Sequence, residues 1–213
     1  MTGEVRAEAL TRVRDGKAWR IGTAAEVDWI TERTRTGLTI ASGIPPVFAA
    51  YATIVLPDPE DGLDPPERET EWTQYMLDWG RTARAQHERA LLDVLADQSP
   101  GAAWWLGYLD TGAANVVFPD APLVPVYHSS WRYVLVAAGP EQAARWRERD
   151  WKLAIPDLIF PADHSWLVST LWDDDWTCVG GPAELIDRFL HDPVLETRPV
   201  ALGQDATPPG HPR

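Results

Sequence analysis

Residues 165–190 read SWLVSTLWDDDWTCVGGPAELIDRFL. Two apolar runs flank three aspartates, and a proline-led amphipathic segment follows. The pattern predicts a β-hairpin in which Leu167–Leu171 and Thr177–Val179 run as partners. Trp172 and Trp176 then close a three-residue loop and face the same side, and cross-strand aromatic pairs of this kind stabilise hairpins by about 0.2–1 kcal/mol. Asp173, Asp174 and Asp175 fall at the tip, where an aspartate carboxylate can accept hydrogen bonds from turn backbone. Gly181 and Pro182 start a last helix, PAELIDRFLHD, since proline suits a first helical turn. A link this short permits only antiparallel pairing.

The same grammar extends upstream. AWWLGYLDTGAANVVFPDAP predicts a second hairpin, Trp104–Leu109 returning through Asn115–Phe118. Trp131–Ala137 is a further strand, and Pro140 opens the helix PEQAARWRERD with proline and acid in its first turn. LIFPADHSWLVSTLW contributes strand as well. Between residues 72 and 98 the period is helical, with Ala83, His87, Ala90, Leu91, Val94 and Leu95 on one apolar face up to Pro100 and Gly101. IPPVFAAYATIVLP favours a strand over Phe48–Leu56. TAAEVDWITERTR predicts a helix with Thr23 and Glu26 as capping box and Gly37 as stop. Residues 1–20 are expected to be weakly helical.

These elements imply an α+β fold, a mainly antiparallel curved sheet with helices packed on one face. Residues 57–71 hold four prolines and seven acids, a solvated acidic loop. The expected organisation is one α+β domain over 1–198 with that loop inside it, and a loosely ordered tail over 199–213.

The 213 residues carry 19 Lys+Arg against 32 Asp+Glu, a formal net charge of −13. Neutralising nucleic-acid phosphates takes Lys and Arg, so a nucleic-acid partner is not expected, nor is an anionic membrane. A basic protein partner would be attracted over long range. The single cysteine, Cys178, excludes an internal disulfide and any multi-cysteine metal centre. With no apolar signal core near the start, a cytoplasmic protein without cofactor is expected.

For chemistry the candidates are few. DDD lacks the spaced Asp-x-Asp-x-Asp-Gly of a calcium loop. Cys178 and His164 could form a nucleophile–base pair only on a turn that the sequence does not contain. Asp-Thr-Gly at 110–112 has no second copy to make an aspartic dyad. The twelve tryptophans are the stronger signal. Alternation puts Trp104 and Trp105 on opposite sheet faces, so one of them is free to serve a contact surface.

WWLGYLDTGAANVVFPDAP, WRYVLVAAGPEQAARW and FPADHSWLVSTLWDDDWTCVGGPAELI together resemble bacterial immunity-like proteins of the SMI1/KNR4 (SUKH) superfamily. The resemblance implies a cytoplasmic protein that binds and neutralises another protein, commonly a toxin domain, and carries over no catalytic residue. The expected function is non-enzymatic protein binding through Trp172, Asp173, Asp174, Asp175 and Trp176. The alternative is a hydrolase or small-molecule-binding protein with a Trp-lined pocket, in which Asp110, Asp163 or His164 serves as acid or base. A deep cavity with at least two converging titratable groups would favour the alternative.

Overall fold

Trp104 and Trp105 stand on opposite faces of one strand, β4 (Trp104–Leu109), yet both are buried, at 1% and 4% exposure. A strand apolar on both faces must lie in a sheet covered on both faces, and that requirement organises the molecule. A computed structural model describes residues 10–57, 69–112, 116–127, 131–149, 155–171 and 175–209; for 69–81 and 148–149 it describes the backbone alone.

In chain order the elements are β1 (Thr11–Arg14), β2 (Lys17–Arg20), α1 (Asp28–Thr31), β3 (Ala50–Val55), α2 (Glu69–Gln98), β4, β5 (Val124–Pro125), β6 (Arg132–Ala138), α3 (Pro140–Arg149), β7 (Leu158–Pro161), β8 (Leu167–Thr170), β9 (Trp176–Gly181), α4 (Ala183–His191) and β10 (Thr197–Pro199). β1 and β2 pair with each other. The other eight strands form one sheet in the order β10-β3-β9-β8-β7-β4-β6-β5. Every neighbouring pair in it is antiparallel. The fold is α+β.

Trp104, Leu106 and Tyr108 of β4 join Ala52, Ile54, Val134, Val136, Ile159, Val168 and Val179 beneath the long helices. Those helices contribute Leu91, Leu92 and Leu95 from α2, Ala143 and Trp146 from α3, and Leu185, Ile186 and Phe189 from α4. Trp105 and Leu109 face the other way, with Tyr51, Tyr133, Leu135, Leu158, Phe160, Leu167 and Cys178. That second face is covered by Val27 and Ile30 at α1, by Ile40 and Ile44, and by Val200 and Ala206. Neither tryptophan of the pair is therefore available as a surface anchor. The covering segment presses close. A Cβ at Gly180 of β9 would lie 2.5 Å from both Ile44 Cγ2 and Phe48 Cδ2, so only glycine fits there.

Several expectations need correction. β4 pairs with β6 and β7, not with the segment after it. Val117 and Phe118 instead bury their side chains on the helix side, where Phe118 meets Trp146 edge-on at 5.7 Å. Residues 11–20 form a β-hairpin rather than a helix. Its turn is Asp15-Gly16, with φ of 56° and 72°, the left-handed pair a tight hairpin requires. The hairpin is fastened to α3: Trp146 Nε1 donates to Asp15 Oδ2 at 3.2 Å, and Trp19 packs edge-on against the same indole at 5.3 Å.

Helix formation after Thr23 is shorter than its pattern suggests. A 3-10 turn, Ala24–Glu26, precedes the single turn of α1. The capping is present: Glu26 Oε2 accepts from the Thr23 backbone N–H at 2.7 Å and from its hydroxyl at 2.8 Å. The expected acidic loop ends by Glu69, where α2 begins; residues 58–68 lie outside the described residues. The described part of the tail is tied down. Arg198 Nη2 donates to the carbonyls of Asp205, Ala206 and Thr207, each at 3.1 Å, and the Val200 N–H reaches the Tyr51 carbonyl at 3.0 Å.

Both edges of the large sheet are short and carry proline. β5 is Val124–Pro125, and β10 ends in Pro199.

Candidate functional site

The β8–β9 hairpin forms over the expected stretch but one residue out of the expected register: Leu167 lies opposite Gly180 and Thr170 opposite Thr177, whereas a Trp172–Trp176 pair would have placed Leu171 opposite Thr177. Its tip does not present two indoles. Trp176 belongs to β9, pairs with Val55 of β3, and packs into the second core at 9% exposure. Its neighbour Asp175 is exposed, and the Asp175 carbonyl accepts from the Leu56 N–H at 2.8 Å. Trp172, Asp173 and Asp174 lie outside the described residues.

The candidate acids and bases are dispersed. Asp110 accepts from the Gly112 N–H at 3.0 Å in an exposed turn. Asp163 accepts from the Ser165 N–H at 3.0 Å, and hydrogen bonding from the Ser165 side chain and then its backbone holds the Asp163 carboxyl below the usual range. His164 is exposed at φ 57° and stacks on Trp29, ring centroids 4.4 Å apart. Partial burial lowers its pKa, against the raising effect of Asp163. Cys178 is buried inside β9 between Thr53 and Ser169, whereas His164 sits in the turn after β7. None of these groups lines either of the two cavities described next.

The larger cavity lies between α2 and α3, a groove of about 330 Å³. Its apolar surface comes from Ala85, Leu92 and Ala96 of α2, Pro140 and Ala144 of α3, and Ile155. Arg89, Asp93 and Glu141 stand at the rim, and Glu88 and Arg147 complete the wall. The local cause is helical spacing. Positions 85, 88, 89, 92 and 96 fall on one side of α2, while Leu91 and Leu95 turn toward the sheet. Alanines at 85, 96 and 144 leave room that larger side chains would fill.

Glu88 is 4% exposed and divided between two arginines. Arg84 Nε donates to its Oε1 at 3.1 Å, and Arg147 Nε donates to its Oε2 at 3.1 Å. A buried carboxylate persists only when compensated in this way. The network ties α2 to α3 across the groove.

Behind this network is a second space of about 20 Å³, bounded by Leu56, Arg84, His87, Glu88, Ile155, Pro156, Asp157, Thr170 and Thr177. Glu88 and Ile155 line both spaces. His87 is 2% exposed, and burial, aided by Arg84 and opposed by Asp192, lowers its pKa to about 4. Burial pushes the Asp157 carboxyl up to about 6, although it accepts from the Leu109 N–H at 2.8 Å and feels Arg84. At neutral pH the imidazole is uncharged.

Sequence reasoning placed His87 on the apolar face of a helix as a partly buried residue, whereas it is almost fully buried, and it found neither the groove nor the acid beside the imidazole. The groove stripe is mainly alanine and charge, so it carries no hydropathy signal. A usable signal was the recurrence of Ala85, Leu92 and Ala96 at helical spacing beside the sheet-facing stripe. No protein-family model, curated protein or solved structure matches the chain. The site must therefore be interpreted from its own chemistry.

Proposed function

We propose that this protein binds a small, mainly apolar molecule in the groove between α2 and α3. One observation carries the proposal: a cavity of about 330 Å³ with apolar walls, the hydrogen-bonded pair Glu88 and Arg147 in its wall and Arg89 at its rim. Small-molecule sites commonly span about 300–1,000 Å³ and combine apolar lining with a few orienting polar groups. The paired arginines leave Glu88 compensated before a ligand arrives, so binding removes apolar surface from water without exposing a new charge. The pocket belongs to the small-molecule alternative of the sequence reading, with alanine and leucine walls in place of tryptophan.

The test is fragment binding followed by NMR on the intact chain. Apolar aromatic fragments should shift the resonances of Leu92, Ala96 and Ala144, and Ala96→Phe, which fills the groove, should abolish those shifts. Shifts confined to other surfaces, or binding unchanged by Ala96→Phe, overturns the reading.

A second reading is favoured by the net charge of −13: attraction of a basic protein partner, for which the immunity-like resemblance suggests a toxin domain. Steep salt dependence of association with a cationic protein, weakened by replacing Asp173, Asp174 and Asp175 with asparagine, would support it. Salt-independent association, or none, would reject it.

A further inference from the structure

The small space behind Glu88 plays no part in the ligand proposal and calls for its own occupant. His87 Nε2 is buried and meets no hydrogen-bond partner among the described residues. It borders a space of about 20 Å³ whose other polar walls are Asp157, Thr170, Thr177, Arg84 and Glu88. A cavity of about 10–15 Å³ on this measure holds one water when two to four polar partners surround it. The space is therefore large enough for one such guest.

The chemistry of the walls selects the guest. Arg84 disfavours a cation, while Glu88 and Asp157 disfavour an anion. The Thr170 and Thr177 hydroxyls lie 2.7 Å apart and share one proton between them, which leaves the other hydroxyl proton to be donated elsewhere. A neutral group that both donates and accepts meets all these demands, whichever nitrogen of His87 carries the proton. Leu56, Ile155 and Pro156 supply the apolar part of the lining.

We propose that this space is a binding site for a single water molecule, which bridges His87 Nε2 on α2 to the Asp157, Thr170 and Thr177 end of the sheet. The bridge keys the register of α2 against β8 and β9. Without it, α2 meets these strands there through an imidazole nitrogen with no partner.

The experiment measures water cross-relaxation and oxygen-17 relaxation dispersion on the full chain. The wild type should show one long-lived water with cross-peaks to the His87 ring and the Thr170 and Thr177 methyls. His87 Nε2 should carry the nitrogen shift of a hydrogen-bonded imidazole. His87→Phe, which fills the space, should remove the long-lived water; Thr177→Val, a near-isosteric change, should weaken the same cross-peaks and serves if the phenylalanine variant does not fold. Missing cross-peaks at these protons in the folded wild type, or a long-lived water unchanged in a folded variant, overturns the proposal.

Discussion

Arg147 of α3 donates its Nε proton to the buried carboxylate of Glu88 on α2 across 3.1 Å. Because Arg84 holds the other oxygen, removing Arg147 leaves Glu88 half compensated rather than bare. Breaking a buried pair outright costs about 3–5 kcal/mol. Arg147→Met should therefore cost somewhat less, about 2–3 kcal/mol, in urea unfolding. Glu88→Ala strands two guanidinium groups and should cost at least as much. Glu88→Leu combined with Arg147→Met should recover part of the loss, because an apolar replacement of a buried pair is often close to neutral and Arg84, left without its carboxylate, is 37% exposed and can turn to water. A double variant as unstable as the sum of the singles would contradict this account.

His87 and Asp157 give opposing pH dependences in one window. The Asp157 pKa is raised from 3.8 to about 6, so its contribution to stability is full below about pH 4 and is lost as pH rises toward 6. The His87 pKa is lowered from 6.5 to about 4, so its contribution is full above about 6.5 and is lost as pH falls toward 4. Each shift of about two units corresponds to roughly 3 kcal/mol at most. Relative to wild type, Asp157→Asn should make stability rise more steeply between pH 4 and 6. His87→Gln should make it fall over the same range. Chemical unfolding at half-unit pH intervals checks both; parallel profiles for wild type and variants would show that neither group is shifted.

Gly180 and Gly43 form a contrasting pair on one face of the sheet. A methyl at Gly180 collides with Ile44 and Phe48 at 2.5 Å, while one at Gly43 makes ordinary contact with Cys178 at 3.5 Å. Overpacking costs about 1–3 kcal/mol, occasionally more. Gly180→Ala should fall in or above that range, and Gly43→Ala, at φ −106°, should be neutral or stabilising by up to about 1 kcal/mol. Thermal unfolding of the two variants measures the contrast.

Asp15 combines a left-handed backbone with a hydrogen bond from the Trp146 indole. Asp15→Ala removes the bond and places a poorly tolerated residue at φ 56°, each worth about 1 kcal/mol. Asp15→Gly restores the backbone and should recover about half the loss. Equal stability of the two variants would show that the turn conformation contributes nothing.

What could be read in advance followed the range of the forces involved. The β8–β9 hairpin, α3, α4 and the Thr23–Glu26 cap depend on residues a few positions apart, and each formed over the stretch its pattern marked, the hairpin with its register shifted by one residue. The partners of β4 do not. Gly107 faces Leu135 on one side and Leu158 on the other, choices made by side-chain fit across the assembled sheet. Val117 and Phe118 looked like a returning strand because burial under a helix and burial in a sheet favour the same residues. The Asp15-Gly16 turn rests on a dipeptide that is itself a hairpin signal, but the mixed charge on either side of it lacks the apolar alternation of a strand. The Glu88 network has no local signal in the sequence because Arg84 and Arg147 lie on different helices, 63 residues apart.

The two proline-bearing margins of the sheet restrict how anything outside can engage it. Proline offers no amide proton, and margins of two and three residues give an incoming extended chain almost no ladder to extend. Recruitment by backbone annexation is thereby discouraged, as is runaway stacking of one copy upon another. At these two margins, a partner is met by side chains rather than by backbone.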